Sequence, residues 1–553
     1  MLATIRSGAV LGVDAYPVRV EVDLARGLPS MTVVGLAQGA VREGRDRVTA
    51  ALSNSGFEVP IRRITINLAP ADVPKAGSAF DLPIALGILA AAGVVPSGAA
   101  DDLCCVGELG LDGRLRPVRG VLAIALQSRA TGSGPLIVPA SNAAEATVIE
   151  GLTVHGARSL RDVVRHLQGG PRLPVARPPE PDGTRSAELA LDFADVRGQA
   201  AARRALEIAA AGSHNLLLVG PPGAGKSMMA RRLPSILPPL TRAEALDVTR
   251  VHSVAGRLPP GGGLLTRRPF RSPHHAVSDA GLVGGGGVPR PGEATLAHHG
   301  VLFLDELPEF RRSALESLRQ PLEDGHIHIG RARASVRLPA RFMLVAAMNP
   351  CPCGHHGDGD RCRCTGDAVR RYRGRVSGPL LDRVDLHVAV PAARPEDLTS
   401  GVPGEPSAAI RDRVNQARQR QLRRYREEGI YANAQLGAAG TRRHCRLDDA
   451  SAALLEAAIR RLGLSGRGYH RILRVARTIA DLEGTEALEA HHVAEAVQHR
   501  SLDRPVRSIA DERDAMAGPD AGAGDDAGAG DDAGARVGTE AQLEALEVDA
   551  QPG

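Results

Sequence analysis

The sequence predicts an α/β protein centred on a phosphate-binding strand–turn–helix, with a mainly helical region after it and a second α/β unit before it. Three observations carry that expectation. The apolar run 215–219 leads through Gly220-Pro221-Pro222-Gly223-Ala224-Gly225-Lys226-Ser227 into a helical pattern beginning at Met228. The run Val301-Leu302-Phe303-Leu304 closes on Asp305-Glu306. Between about 188 and 395, strand and helix patterns alternate, as a mostly parallel sheet flanked by helices requires.

A chain of 553 residues exceeds one core, and about three domains follow from roughly 100–200 residues per domain. Residues 1–168 read as a compact α/β unit, with β-type runs at 18–22, 31–34, 64–68 and 136–138 and helical patterns at 40–54, 79–92, 120–130 and 143–150. Residues 169–187 include the Pro-rich run 171–181 and read as an extended linker that can pack no core. The phosphate-binding core spans 188–395, and a helical domain spans 396–508, with amphipathic periods at 450–462, 470–482 and 491–499. The repeat-rich tail 509–553 lacks apolar content and is expected to be disordered.

Composition narrows the function. Apolar residues make up 43% of the chain, so large cores can be buried; aromatics make up 2%, so rows of stacking aromatics cannot carry nucleic-acid binding. No run approaches the roughly 20 apolar residues of a bilayer span, the longest candidate, 80–95, being broken by Asp81 and Pro83. The amino terminus lacks an apolar signal core, so a cytoplasmic protein is expected. Seven cysteines form no disulfide framework in a chain of this size. Residues 511–553 hold 12 Asp+Glu against 2 Arg, which leaves residues 1–510 at a net +15, a balance that suits a polyanionic partner. Only Lys75 and Lys226 are lysines, so each is a candidate for a role that a guanidinium cannot fill.

The motifs define a nucleotide site. Backbone N–H groups of the Gly220–Ser227 turn would cradle phosphates at a helix start. Lys226 would reach the β- and γ-phosphates, and the Ser227 hydroxyl would join the Mg²⁺ shell. Asp305 would hold that shell from a strand expected to neighbour the phosphate-binding one, and Glu306 would polarise the attacking water as general base. The run 342–348 ends in Asn349, a neutral polar group placed to orient water near the γ-phosphate, in the manner of a sensor 1 residue. Downstream, Arg383 lies between apolar positions in 377–385, and an arginine supplied to a neighbour's γ-phosphate would account for ring assembly. ATP and Mg²⁺ are the cofactors this constellation calls for.

Cys351, Cys353, Cys362 and Cys364 form two C-x-C pairs separated by eight residues. Four thiolates could close a tetrahedral Zn²⁺ site, although the single-residue gap is tighter than usual, and the alternative is a reduced Gly-rich loop. Cys104, Cys105 and Cys445 read as ordinary buried thiols.

The run Arg268-Pro-Phe-Arg-Ser-Pro-His-His275, the segment 289–300 leading into the acidic strand, and GPLLDRVDLHV resemble the Mg-chelatase-like AAA+ proteins of the YifB/ComM family, over residues 1 to about 505. The resemblance implies an AAA+ ATPase domain with a helical lid, assembled as a ring, expected to be a hexamer. It implies that the segment 196–199, with Val196 and Gly198, wraps the adenine, that Arg383 is the arginine finger, and that Arg467 is sensor 2, with Arg471 and Arg474 close by as competitors. It also implies that 281–288 is a helix-2 insert and 326–337 a hairpin whose tip carries Arg331 and Arg333 towards a ring pore, where they would grip DNA phosphates with little sequence preference. The first 168 residues resemble the ribosomal protein S5 domain 2 and Lon-protease fold, on the segments 74–83 and 107–117. The Lon nucleophile and base positions fall on Ala79 and near Ile124, so peptidase activity is not expected. The work implied is DNA translocation of the ComM kind, driving branch migration during natural transformation. The alternative is a chelatase motor subunit that remodels a metal-inserting partner.

Overall fold

The computed structural model describes residues 1–178, 191–259, 261–286, 289–331, 334–357, 361–392, 396 and 403–500. Much of the 169–187 linker and the whole acidic tail therefore lie outside the described residues.

The amino-terminal residues alternate apolar and polar and build a hairpin. Leu2–Leu11 pairs antiparallel with Asp14–Ala25, from Leu2↔Asp23 to Leu11↔Asp14. The turn needs a left-handed residue, and Gly12 supplies it at φ 68°. The first of these strands was not among the expected β-runs. The hairpin is central to a seven-stranded mixed sheet in the order Ser30–Val34, Arg63–Ala69, Asp14–Ala25, Leu2–Leu11, Cys104–Cys105, Leu136–Pro139, Val154–Ala157. Cys105 belongs with Ile5, Val20 and Leu86 in one core, while its neighbour Cys104 packs with Val121, Leu122 and Ala125 in another, as successive side chains on opposite faces must. The longest apolar run of the sequence is the helix Asp81–Ala91, buried on nearly every side, and no helix among the described residues is long and apolar enough to cross a membrane.

Two expectations are corrected here. The helical pattern at 143–150 is realised only as Ala143–Ala146, because Thr147, Val148 and Ile149 are β-branched and resist continuation. The first part of the Pro-rich run is not a free linker. Leu173 is buried in the amino-terminal core, Val175 bridges His155, and the Ala176 N–H donates to the Val154 carbonyl at 2.8 Å. Prolines lack the N–H needed inside a sheet but tolerate its edge, and the apolar residues between them supply the anchoring.

The second sheet has five strands, all parallel, in the order Phe270–Arg271, Val301–Leu304, Met343–Met348, Leu216–Val219, Leu386–Ala389. The central three are buried throughout, which is why they read as unbroken apolar runs. The acidic strand does not neighbour the phosphate-binding strand as expected, since Met343–Met348 lies between them; strand order is a long-range property that neither motif encodes. Helix Ser407–Arg424, for which no amphipathic period was singled out, follows, and then Asp449–Leu462, Gly466–Glu483 and Ala490–Gln498, close to the expected periods.

The amino ends of three strands are tied by one residue pair. Asn215 donates through Nδ2 to the Arg383 carbonyl at 2.9 Å, accepts at Oδ1 from the Leu344 N–H at 2.9 Å, and gives its own N–H to Asp385 Oδ2 at 3.0 Å. Asp385 also accepts from Arg471 of the Gly466–Glu483 helix at 2.7 Å, so the helical domain is pinned to this edge of the sheet. Burial pushes the Asp385 carboxyl up, but Arg471, His214 and Arg474 outweigh it and hold the group far below the usual carboxylate range.

Because this carboxylate is buried and paired, Asp385→Ala should lower unfolding free energy by about 3–5 kcal/mol. A folded-state pKa depressed below the unfolded value of about 3.9 stabilises the protein above that pH and ceases to do so as pH falls through the folded value. Chemical denaturation of parent and variant from neutral to acid pH should therefore show the gap closing at the acid end. A gap that stays constant would refute the assignment.

Candidate active site

The shared direction of the strands brings the motif residues to one edge. Leu216–Val219 delivers the turn Gly220–Gly225 at its carboxyl end, and Gly223 and Gly225 take the left-handed conformations, φ 78° and 88°, that the turn requires. Gly220 admits no side chain, since a Cβ there would lie 2.0 Å from the Val390 carbonyl oxygen. The following helix starts at Lys226, two residues before the expected Met228.

Lys226 Nζ donates to the carbonyls of Gly220 at 2.7 Å and Pro221 at 2.8 Å and to Asn349 Oδ1 at 3.1 Å. Burial lowers its pKa from the ordinary lysine value, partly opposed by the charge of Asp305. The Ser227 hydroxyl donates to Asp305 Oδ2 at 2.6 Å. Lys226, Ser227, Asp305 and Asn349 therefore meet within hydrogen-bond reach although they come from three strands. Ser227 and Asp305 form a hard oxygen pair that suits Mg²⁺, which would neutralise phosphate charge. Glu306 follows in a left-handed conformation, φ 53°, with its carboxylate largely exposed and 3.5 Å from His275 Nδ1. For a non-glycine residue such a backbone costs about 1–3 kcal/mol and is retained where the side chain must be aimed. His275 stands in the 268–275 run but was not assigned a role from sequence.

Val196 is buried, Gly198 takes φ 63°, and Gln199 Nε2 donates to the Pro391 carbonyl at 2.8 Å. A cavity of about 570 Å³ beside the turn is lined by Gly220, Pro221, Gly354, His356, Val390 and Pro391. Val196 and Gly198 are not among its lining residues, and Gln199 reaches its rim only through Pro391.

Arg383 and Arg467 gather at the opposite edge. Arg383 pairs with Glu323 and donates to the Pro379 carbonyl at 2.8 Å, and Arg467 Nη2 lies 3.7 Å from Glu323 Oε1. Both line a cavity of about 500 Å³ together with Asn215, Gly300, Met343 and Asp385, residues at the amino ends of the strands. A strand of four residues separates them from their own phosphate-binding turn by roughly 13 Å. Glu323 was not singled out from sequence.

The strands His326–Arg331 and Ala334–Pro339 form the expected antiparallel hairpin, with Arg331 ending its first strand and Arg333 outside the described residues. The hairpin packs against the amino-terminal turn at Gly12, where a Cβ would lie 2.3 Å from Val336 Cγ1. In the 281–288 insert, Asp279–Val283 is a short helix and Gly284–Gly285 pairs with Arg290–Pro291. Ser78 donates to Glu108, and Lys75 Nζ is buried with no hydrogen-bond partner among the described residues. Cys104, Cys105 and Cys445 are buried thiols with raised pKa, Cys104 and Cys445 to about 12. Cys351, Cys353, Cys362 and Cys364 are brought together.

Three family models match the chain. "Magnesium chelatase, subunit ChlI" matches residues 192–398, "Subunit ChlI of Mg-chelatase" residues 20–142, and "Magnesium chelatase, subunit ChlI C-terminal" residues 404–500. The chain is 45% identical over 504 residues to the uncharacterized protein YifB of Escherichia coli (strain K12), covering 91% of this chain and 98% of that one. It is 46% identical over 514 residues to the competence protein ComM of Haemophilus influenzae, covering 92% and 99%. It is 46% identical over 495 residues to the uncharacterized protein Rv2897c of Mycobacterium tuberculosis, covering 89% and 97%.

The geometry separates binding from turnover. Glu306→Gln should bind a fluorescent ATP analogue as the parent does while slowing phosphate release by about 10²–10⁴-fold, the range for loss of a general base. Lys226→Ala should lose the binding itself. Parental phosphate release by Glu306→Gln would remove Glu306 from the chemistry.

Proposed function

The chain belongs to the YifB/ComM family of Mg-chelatase-like AAA+ proteins, and from that premise we propose that it is an ATP-hydrolysing ring motor that translocates along DNA. Lys226, Ser227, Asp305, Glu306 and Asn349 act on the nucleotide of their own subunit. Lys226 binds the terminal phosphates, Ser227 and Asp305 hold Mg²⁺, Asn349 orients the water and Glu306 accepts its proton.

The observation that carries the reading is the convergence of Arg383 and Arg467 on Glu323. Neither arginine can serve its own turn from the far edge of the sheet, so both serve the ATP of the neighbouring subunit, and hydrolysis requires the ring. Glu323 lies in the short helix Arg319–Asp324, which passes through Gly325 directly into the hairpin at His326. Drawing Arg383 onto a neighbour's γ-phosphate releases Glu323 and frees the helix that carries the hairpin. Arg331 and Arg333, the pair singled out in the sequence, would supply contacts to DNA phosphates, which are indifferent to sequence. The competence protein in the same family favours this work, branch migration of incoming DNA, over other polyanions.

A second reading has its own support, because the matched family models are those of a magnesium chelatase subunit. Such a motor remodels a metal-inserting protein and gains nothing from DNA.

Arg383→Ala should lower kcat by about 10³–10⁵-fold, as for other arginine fingers. Mixing it with Glu306→Gln should restore part of the activity, since one interface then pairs an intact arginine with an intact base. Absence of complementation would return Arg383 to a structural role. Single-stranded and forked DNA should stimulate the parental ATPase, and Arg331→Ala with Arg333→Ala should weaken both stimulation and DNA binding. A parental ATPase indifferent to DNA would favour the chelatase-like motor.

A further inference from the structure

The four clustered cysteines are not used in the hydrolysis scheme. Cys351 Sγ lies 3.3 Å from Cys353 Sγ and 3.9 Å from Cys362 Sγ, and Cys353 and Cys362 are 3.8 Å apart. All four ligand atoms, including that of Cys364, fall within 4.8 Å of one another. A disulfide would bring two sulfurs to about 2.0 Å. Sulfurs held at about 2.3 Å from a tetrahedral zinc lie about 3.8 Å apart. The spacing is that of a metal-binding set, and four sulfur donors without a carboxylate select a borderline-soft ion such as zinc over Mg²⁺ or Ca²⁺.

The position of the cluster gives it a task. Cys351 follows Asn349 by two residues and is fully buried. Arg373 Nε donates to the Pro350 carbonyl at 3.1 Å. Gly354, at φ 87°, rests on the phosphate-binding turn so closely that a Cβ there would lie 2.5 Å from Pro222 Cδ. Gly354 and His356 also line the cavity beside that turn.

We propose that Cys351, Cys353, Cys362 and Cys364 hold a structural zinc ion that braces residues 350–354 against Pro222, so that the metal sets the shape of the nucleotide site. The bracing half of this inference rests on the ATP reading; the metal half does not.

Metal analysis of the full-length protein should find about one zinc per chain, lost in Cys362→Ser with Cys364→Ser. Co²⁺ replacing it should show the intense visible absorption of a tetrahedral thiolate site. Protein that contains no zinc, takes up none and gives no such Co²⁺ spectrum overturns the site, whatever its ATPase activity. Zinc removal from folded parent with a zinc-selective chelator in excess Mg²⁺ should weaken binding of a fluorescent ATP analogue by about tenfold, with restoration on adding zinc back. Gly354→Ala should keep its zinc and show a similar loss. Unchanged nucleotide affinity in both overturns the brace while leaving the metal site standing, and failure of the zinc-loaded parent to bind ATP would instead strike the ATP reading.

Discussion

Val301–Leu304, Met343–Met348, Leu216–Val219 and Leu386–Ala389 run in one direction, and their shared polarity decides where each kind of chemistry sits. Parallel strands present all their carboxyl ends at one edge, where turns are free to carry polar groups without breaking the ladder. Gly220–Ser227, Asp305, Glu306 and Asn349 are all delivered there. The amino ends, by contrast, must be closed, because buried backbone groups left without partners are costly. Asn215 closes three of them, and Asp385 extends the closure to Arg471 of the helical domain. The same edge displays Arg383 and Arg467, so the Gly220–Ser227 turn and these two arginines stand at opposite margins of one sheet.

Charges at the two margins are held in different ways. Lys226 is a compact ammonium folded against two carbonyls and Asn349, a geometry in which five fixed guanidinium donors could not all be satisfied. Lys75 shows the same logic in another setting. It is buried in the amino-terminal sheet with no hydrogen-bond partner among the described residues, and burial lowers its pKa. An arginine there would leave more donors unmet. The two lysines that persist in an arginine-rich chain thus share burial, and Lys226 is the one that follows the glycine-rich turn.

What could be read from the sequence was what neighbouring residues impose on each other. The phosphate-binding turn, the acidic strand end, the strand closing on Asn349 and the hairpin expected at 326–337 are local patterns, and all are present as elements of the fold, the hairpin's second strand running on to Pro339. Strand order was not legible, which is why the acidic strand was expected beside the phosphate-binding one. Glu323 and Asp385 escaped for the same reason: an acidic residue on a short helix or in a loop has no local mark of the arginine it will meet, 60 residues away for Glu323 and 86 for Asp385. The Pro-rich run misled because proline content describes what a segment cannot donate. It does not reveal that Leu173 will find a core or that Val175 will find an edge.

The clasp at Gly12 constrains how force can travel. The hairpin meets the turn at Gly12 through Val336, which pairs with Ile329 nearer the tip than the base, and Arg250 pairs with Asp14 beside the same turn at 2.6 Å. Gly120 of the amino-terminal region gives its N–H to the Ser253 carbonyl at 3.2 Å, a third tie between the two parts. The hairpin therefore cannot shift without straining its contact with the seven-stranded sheet. The amino-terminal sheet thereby fixes where the hairpin sits relative to the five-stranded sheet.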